Sequence, residues 1–190
     1  MTLDPFPPES HMRWRRVDEP GSEEAQIEQT SDGWCLTGQV DAQDSGVSAT
    51  LRYRIDCDRD WRTRFAVIEG VSGGHRIHFD LEGHDGLWTL DGRPLPELSG
   101  ALDIDLGFTP ATNTLPIRRL GLAVGETAAV TSAWLRFPEL RLELLEQTYT
   151  REAERVYRYV ADVDGAPFSA LLDTDSYGRV LRYGNLWEAD

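Results

Sequence analysis

Four side chains within seventeen positions carry the chemistry that this sequence offers most openly: Asp103, Asp105, Arg118 and Arg119. In the run Leu102-Asp103-Ile104-Asp105-Leu106 the acids alternate with apolar residues, so a strand would place both carboxylates on one face, about 7 Å apart. Carboxylates at that separation can act as acid and base on a glycosidic bond. Their commoner use is to accept hydrogen bonds from cations such as the two arginines that follow. Adjacent arginines at a tight turn can in turn clamp a phosphate or a sugar acid, because guanidinium binds such groups bidentately. Asn113, just ahead of them, adds a further polar group to the candidate ligand-binding set of Arg118, Arg119, Asp103, Asp105 and Asn113.

The other chemistry-bearing residues give weaker patterns. His75 and His78 fall on opposite faces of a strand, and no third His or Cys ligand is near in sequence. Cys35 and Cys57 lie on strands that would pair around a turn near 43–46, which sets Cys35 opposite residues near Tyr53; free buried thiols are expected. Nucleophile elbow, phosphate loop and dinucleotide fingerprint are all absent from the sequence, and no cofactor is called for.

The elements that must position these groups are strands. Alternation recurs along Trp34–Val40, Val47–Ile55, Trp61–Gly70, His75–Leu81 and Arg155–Asp162, with Trp34, Leu36, Gly38 and Val40 sharing one face. Trp61, Thr63, Phe65 and Val67 would likewise share a face. Asp-Gly and Gly-Gly pairs punctuate the chain about every ten residues, the spacing of a sandwich, barrel or roll. Glu139–Glu146 is read as strand against a competing helix, and Thr114 is read as the cap of one short helical turn holding Leu115, Ile117 and Leu120 inward.

Of the 190 residues 33 are acidic and 19 basic, giving a net charge of −14, and every basic residue is arginine. So acidic a surface disfavours a nucleic-acid partner. No apolar run is long enough to span a membrane as a helix. The first twelve residues carry no basic-then-apolar signal pattern and read as a flexible leader, which leads to the expectation of a cytoplasmic protein.

The central stretch DGRPLPELSGALDIDLGFTPATNTLPIRRLGL resembles the corresponding segment of a bacterial family described as "Putative glycolipid-binding". The likeness extends to Met12–Arg16, Leu51–Trp61, Tyr149-Thr150-Arg151 and the closing run from Gly178 to Leu186. The resemblance implies an all-β fold: an antiparallel β-roll or incomplete barrel of two similar units, forming one domain over 13–190 and distantly similar to lipoprotein carriers. It brings no catalytic residues. Leu106-Gly107-Phe108 places a bulky ring where small residues are expected, which would narrow an opening there.

The combined expectation is a binding protein for an amphipathic small molecule, a glycolipid or acyl conjugate, held in a concave sheet face. Apolar strand residues would take the tail, and Arg118 or Arg119 the head group. The alternatives are an enzyme using Asp103 and Asp105 on a sugar or acyl substrate, and a protein-interaction module. An empty apolar cavity favours the carrier, converging carboxylates the enzyme, and a filled interior the interaction module. Oligomeric state is left open.

Overall fold

Short turns between alternating segments build the molecule. In the computed structural model, which describes residues 3–190, the chain turns at Ser45-Gly46 with φ of 49° and 80°. Positive φ at both central residues is the two-residue hairpin geometry whose twist matches that of the flanking strands. It joins β3 (Gly33–Asp44) to β4 (Val47–Asp58) and pairs Asp44 with Val47, so Cys35 lies opposite Asp56 and Cys57 opposite Trp34. The expected register, with Cys35 near Tyr53, is corrected by three residues because the turn sits later than 43–46 suggests. Both thiols are free and buried, on opposite faces of adjoining strands.

Around this hairpin the chain meanders outward. β1 (Glu9–Arg16), β2 (Gly21–Gln29), β3, β4, β5 (Thr63–Ser72), β6 (His75–His84), β7 (Leu87–Leu90) and the two-residue β8 (Arg93–Pro94) pair in sequence order. A connection over 95–102 leads to β9 (Asp103–Leu106). Then come a single-turn 3-10 segment (Ala111–Asn113), α1 (Thr114–Leu120) and β10 (Thr127–Arg136), which lies parallel to β9. A second meander follows through β11 (Arg141–Ala153), β12 (Val156–Val163), β13 (Ala166–Thr174), β14 (Val180–Tyr183) and β15 (Trp187–Ala189). Strand β15 pairs with β1, so the two meanders meet at the termini in one fifteen-stranded sheet, antiparallel except at β9–β10. The sheet is open and not closed into a barrel, with β8 and β9 as its ends. The fold is all-β, as expected, and Glu139–Glu146 runs into strand β11.

Two local expectations are corrected. In β5 the partner of Asp56 is Phe65 and that of Cys57 is Thr63, so Arg64 is an extra residue that reverses the faces beyond it. Ala66 and Ile68 are therefore the fully buried pair, while Phe65 and Val67 are only partly covered. Trp61 precedes the strand, with φ of 66°, and stacks on Trp34 with ring centroids 4.5 Å apart. The second correction concerns the leader. Its first two residues lie outside the described residues, but Glu9–Met12 already belong to β1 and pair with Ala25–Glu28. Phe6 is buried against Trp34 and Trp61, and the Asp4 amide donates to the Ser176 carbonyl. An aromatic ring packed edge-on against a tryptophan stack gives this segment a reason to dock.

The strand pair β9–β10 forms a wall with two unlike faces. Ile104, Leu106, Ala133 and Leu135 point into the interior of the first meander, where they meet Leu36, Leu51, Ile55 and Ile68. Asp103, Asp105, Ser132 and Trp134 share the other face, towards the interior of the second meander. That second interior holds Leu145, Tyr149, Tyr157, Tyr159, Ala161 and Leu172. Among the described residues no helix is long and apolar enough to cross a membrane.

Candidate functional site

The segment between β9 and β10 settles how each interior is filled. Phe108 is fully buried, with its ring 6.3 Å from Tyr53 and 6.1 Å from Phe137. The bulky ring that the sequence places after Gly107 thus plugs the first interior, together with Leu98, Leu106 and Leu115. Thr109 follows, just ahead of the helical stretch, and its Oγ1 accepts the Ala111 amide at 2.9 Å. Thr114, expected as the cap, instead lies inside the continuous turn from Ala111 to Leu120 and is buried. Gly121, with φ of 55°, ends the helix and donates its amide to the Ile117 carbonyl.

Thr109 also reaches a group that the sequence reading passed over. Its hydroxyl lies 2.6 and 2.7 Å from the two carboxyl oxygens of Glu23, and the Tyr53 hydroxyl donates to Glu23 Oε1 at 2.5 Å. Glu23 is on the inward face of β2 and is 1% exposed. Burial pushes its carboxyl up to about 7 despite these two hydrogen bonds. Gly38 makes room for this arrangement, because a Cβ there would sit 2.4 Å from the Tyr53 ring. The inward register of Glu23, Ala25 and Ile27 was the available signal: an acid in the apolar half of an alternation.

The five expected site residues separate. Arg119 grips Asp103 bidentately, Nε to Oδ1 at 3.1 Å and Nη2 to Oδ2 at 2.5 Å, with the carboxylate side chain only 1% exposed. Burial raises the Asp103 carboxyl above the ordinary range, and the Arg119 guanidinium opposes that rise. Arg118 points away from this pair. Its Nη1 donates to the Asp4 carbonyl at 2.8 Å and the Tyr177 carbonyl at 3.2 Å, and its guanidinium lies over the rings of Phe6 and Trp61. Asn113 is buried, accepts the Tyr149 hydroxyl at 2.8 Å and donates to the Pro110 carbonyl. Of the five, Asp105 lines a cavity walled by aromatic side chains.

That cavity, about 350 Å³, opens on the inward face of the second meander at its seam with the first, where Arg16, Asp18, Asp44 and Thr109 also line it. Trp134, Leu145, Tyr159, Phe168, Tyr183 and Trp187 form its walls. Asp105 is partly exposed to it and accepts a hydrogen bond from Gln147 Nε2, while Gln147 Oε1 accepts from the Ser132 hydroxyl at 3.2 Å. This chain fixes the amide and leaves the carboxylate as the group presented to the cavity. Burial, with some repulsion from Asp103, pushes Asp105 up to about 6 against the hydrogen bond from Gln147. Two arginines stand at the cavity's edge, each already paired. Arg16 lies 5.6 Å over Trp187 and binds Asp18 at 2.7 Å, and Arg136 lies 5.4 Å over Trp134 and binds Asp164 at 2.7 Å. The larger depressions near the Pro20-Gly21 turn and between Arg52 and His78 are shallow and open, and lack this aromatic enclosure. Gln147, Arg16, Arg136 and Trp134 were not expected at the site. Their shared inward face becomes visible only once β10, β11 and β15 are paired.

Comparisons with known proteins bear on the family and the fold. The family model described as "Putative glycolipid-binding" matches residues 11–189. A crystal structure of a DUF1089 family protein from Pseudomonas aeruginosa is similar, with 35% identity and a TM-score of 0.79. The match covers 92% of this chain and 94% of that one. None of the curated proteins matches.

Proposed function

The chain belongs to the family described as "Putative glycolipid-binding", and from that premise we propose that it binds an amphipathic glycolipid-type molecule in the cavity of the second meander. The observation that carries this reading is the contrast of a plugged first interior with a 350 Å³ space walled by aromatic side chains and bearing the Asp105 carboxylate, its other two carboxylates, Asp18 and Asp44, being beside Arg16. Small-molecule sites have this form, mostly apolar walls with a few placed polar groups, in volumes of about 300–1,000 Å³. Binding is favoured over acid–base catalysis because both oxygens of Asp103 are held by Arg119, so only one acid of the pair faces the cavity.

The arginine clamp does not carry the reading. Arg118 ties the N-terminal segment to the 175–179 turn, and Arg119 ties α1 to β9; we assign both to the scaffold. The test is calorimetric titration of hexyl β-D-glucoside into the wild type, Val163→Trp and Val71→Trp. Val163 lies partly exposed on the cavity wall, whereas Val71 is 42% exposed on the first meander. Binding to the wild type and Val71→Trp, weakened at least about tenfold in Val163→Trp, is expected. Absence of binding, or equal binding to all three, contradicts the proposal.

A further inference from the structure

Resting on that binding reading, we infer that the part of the ligand inside the cavity is an uncharged sugar ring hydrogen-bonded at Asp105, with the aliphatic tail running outward past Phe168 and Leu186. The polarity of the cavity supports this orientation. A tail-first ligand would press methylenes against the Asp105 carboxylate and strip it of solvent without replacing its hydrogen bonds, which is costly for a charged group. A sugar ring offers hydroxyl donors to that carboxylate and an apolar C–H face to Tyr159, Phe168 or Trp134.

The charges around the cavity select against ionic head groups. An anion would meet Asp105 inside a protein of net charge −14. The arginines at the edge cannot readily offset this, because Asp18 and Asp44 flank Arg16, while Glu139, Glu143 and Asp164 surround Arg136. A cation would meet those same guanidinium groups, which already lie over Trp187 and Trp134. An uncharged polyol avoids both conflicts.

The tail has a path. A groove of about 450 Å³ adjoins the cavity and shares Phe168 and Leu186 with it. Ala170 and Leu171, the latter 42% exposed, give it an apolar floor towards the turn at Gly184, and Ser169, Asp173, Arg182 and Asn185 form its polar rim. The inner cavity lies at the small end of the usual range, which suits one ring better than a pair of acyl chains.

Saturation-transfer NMR on the wild-type protein with hexyl β-D-glucoside reads the orientation directly. The ring protons should take up saturation most strongly and the terminal methyl least; the reverse order overturns the inference. In parallel titrations hexyl glucoside should bind at least about tenfold more tightly than hexyl phosphate or hexyltrimethylammonium. Asp105→Asn, with its fold checked by a thermal melt, should weaken the glucoside about tenfold or more, the size of a lost charge-assisted hydrogen bond. Equal affinity for the three probes, or an unchanged affinity in a folded Asp105→Asn, also overturns it. If binding is blocked by Val163→Trp but the methyl dominates the saturation, the cavity reading stands and the head-first orientation falls. If no probe binds the wild type, both fall together.

Discussion

In the interior of the first meander, Leu98, Ile104, Leu106, Phe108 and Leu115 are all but completely buried against Leu36, Leu51, Ile55 and Ile68. In that of the second, residues on the same kind of inward strand face, among them Trp134, Tyr159, Phe168 and Tyr183, line a cavity with Asp105 in its wall. Both meanders are antiparallel, twisted and hydrophobic on one side, so strand architecture does not distinguish them. The difference lies in the connection from β8 to β10. Its apolar side chains up to Leu115 fill the first interior, and its later part, Ile117, Leu120 and Leu122, covers part of the second. A plug therefore turns one half of the sheet into a core and leaves the other with a cavity.

The largest effect that should expose this contrast is on stability. Phe108→Ala should cost about 3–5 kcal/mol in urea unfolding, since a buried ring is removed from a site packed on every side. Arg119→Ala should come close to it, at about 3–5 kcal/mol, because Asp103 would be left buried without its counterion. Arg118→Ala should cost less, about 1.5–3 kcal/mol for its charge-assisted bonds to two carbonyls, and should leave hexyl glucoside affinity unchanged in the folded protein. A ligand affinity that falls about tenfold in Arg118→Ala without a lower melting temperature would restore the clamp.

The Glu23 cluster joins the plug to the sheet and predicts a pH dependence. Its folded carboxyl titrates near 7, above the unfolded range, so the folded state holds this proton more tightly. Stability is then higher at pH 5 than at pH 8 and declines as the pH rises through 7, on the order of 3 kcal/mol from this group. Asp105, raised to about 6, adds to the decline in the same direction. Glu23→Gln should flatten the profile; an unaltered slope in that variant would place the pH dependence elsewhere. The smallest effect is expected at the cavity. Phe168→Ala removes a partly exposed ring that already borders empty space, so unfolding should change by about 1 kcal/mol, with the loss appearing in ligand affinity instead.

How much of this the chain reveals by itself depends on the range of the interactions. Period-two alternation grouped Leu36 with Val40, Leu51 with Tyr53 and Tyr157 with Tyr159 on shared strand faces, because it needs only neighbours along one strand. The β3–β4 register slipped by three because Ser45-Gly46 competes with other turn positions in a polar stretch, and the faces of β5 reversed because one extra residue, Arg64, is silent in the pattern. Asp103 and Asp105 were rightly placed on one face of a strand. Their opposite fates, one sealed by Arg119 and the other open to a cavity, depend on where α1 packs and on strands more than forty residues away. Glu23, Gln147 and Arg16 were unreadable as site groups for the same reason: their partners Thr109, Asp105 and Trp187 are distant in sequence.

The contrast between the two interiors is tested most directly by mapping backbone amide shifts in ¹⁵N-labelled protein as hexyl β-D-glucoside is added. Shifts should concentrate on β9 to β14, around Asp105, Trp134, Tyr159, Phe168 and Tyr183, while β4 to β6 stay still. Saturable shifts centred on β4 to β6, or spread over the outer face of the sheet with none around Asp105, would contradict the assignment of the second interior as the binding site.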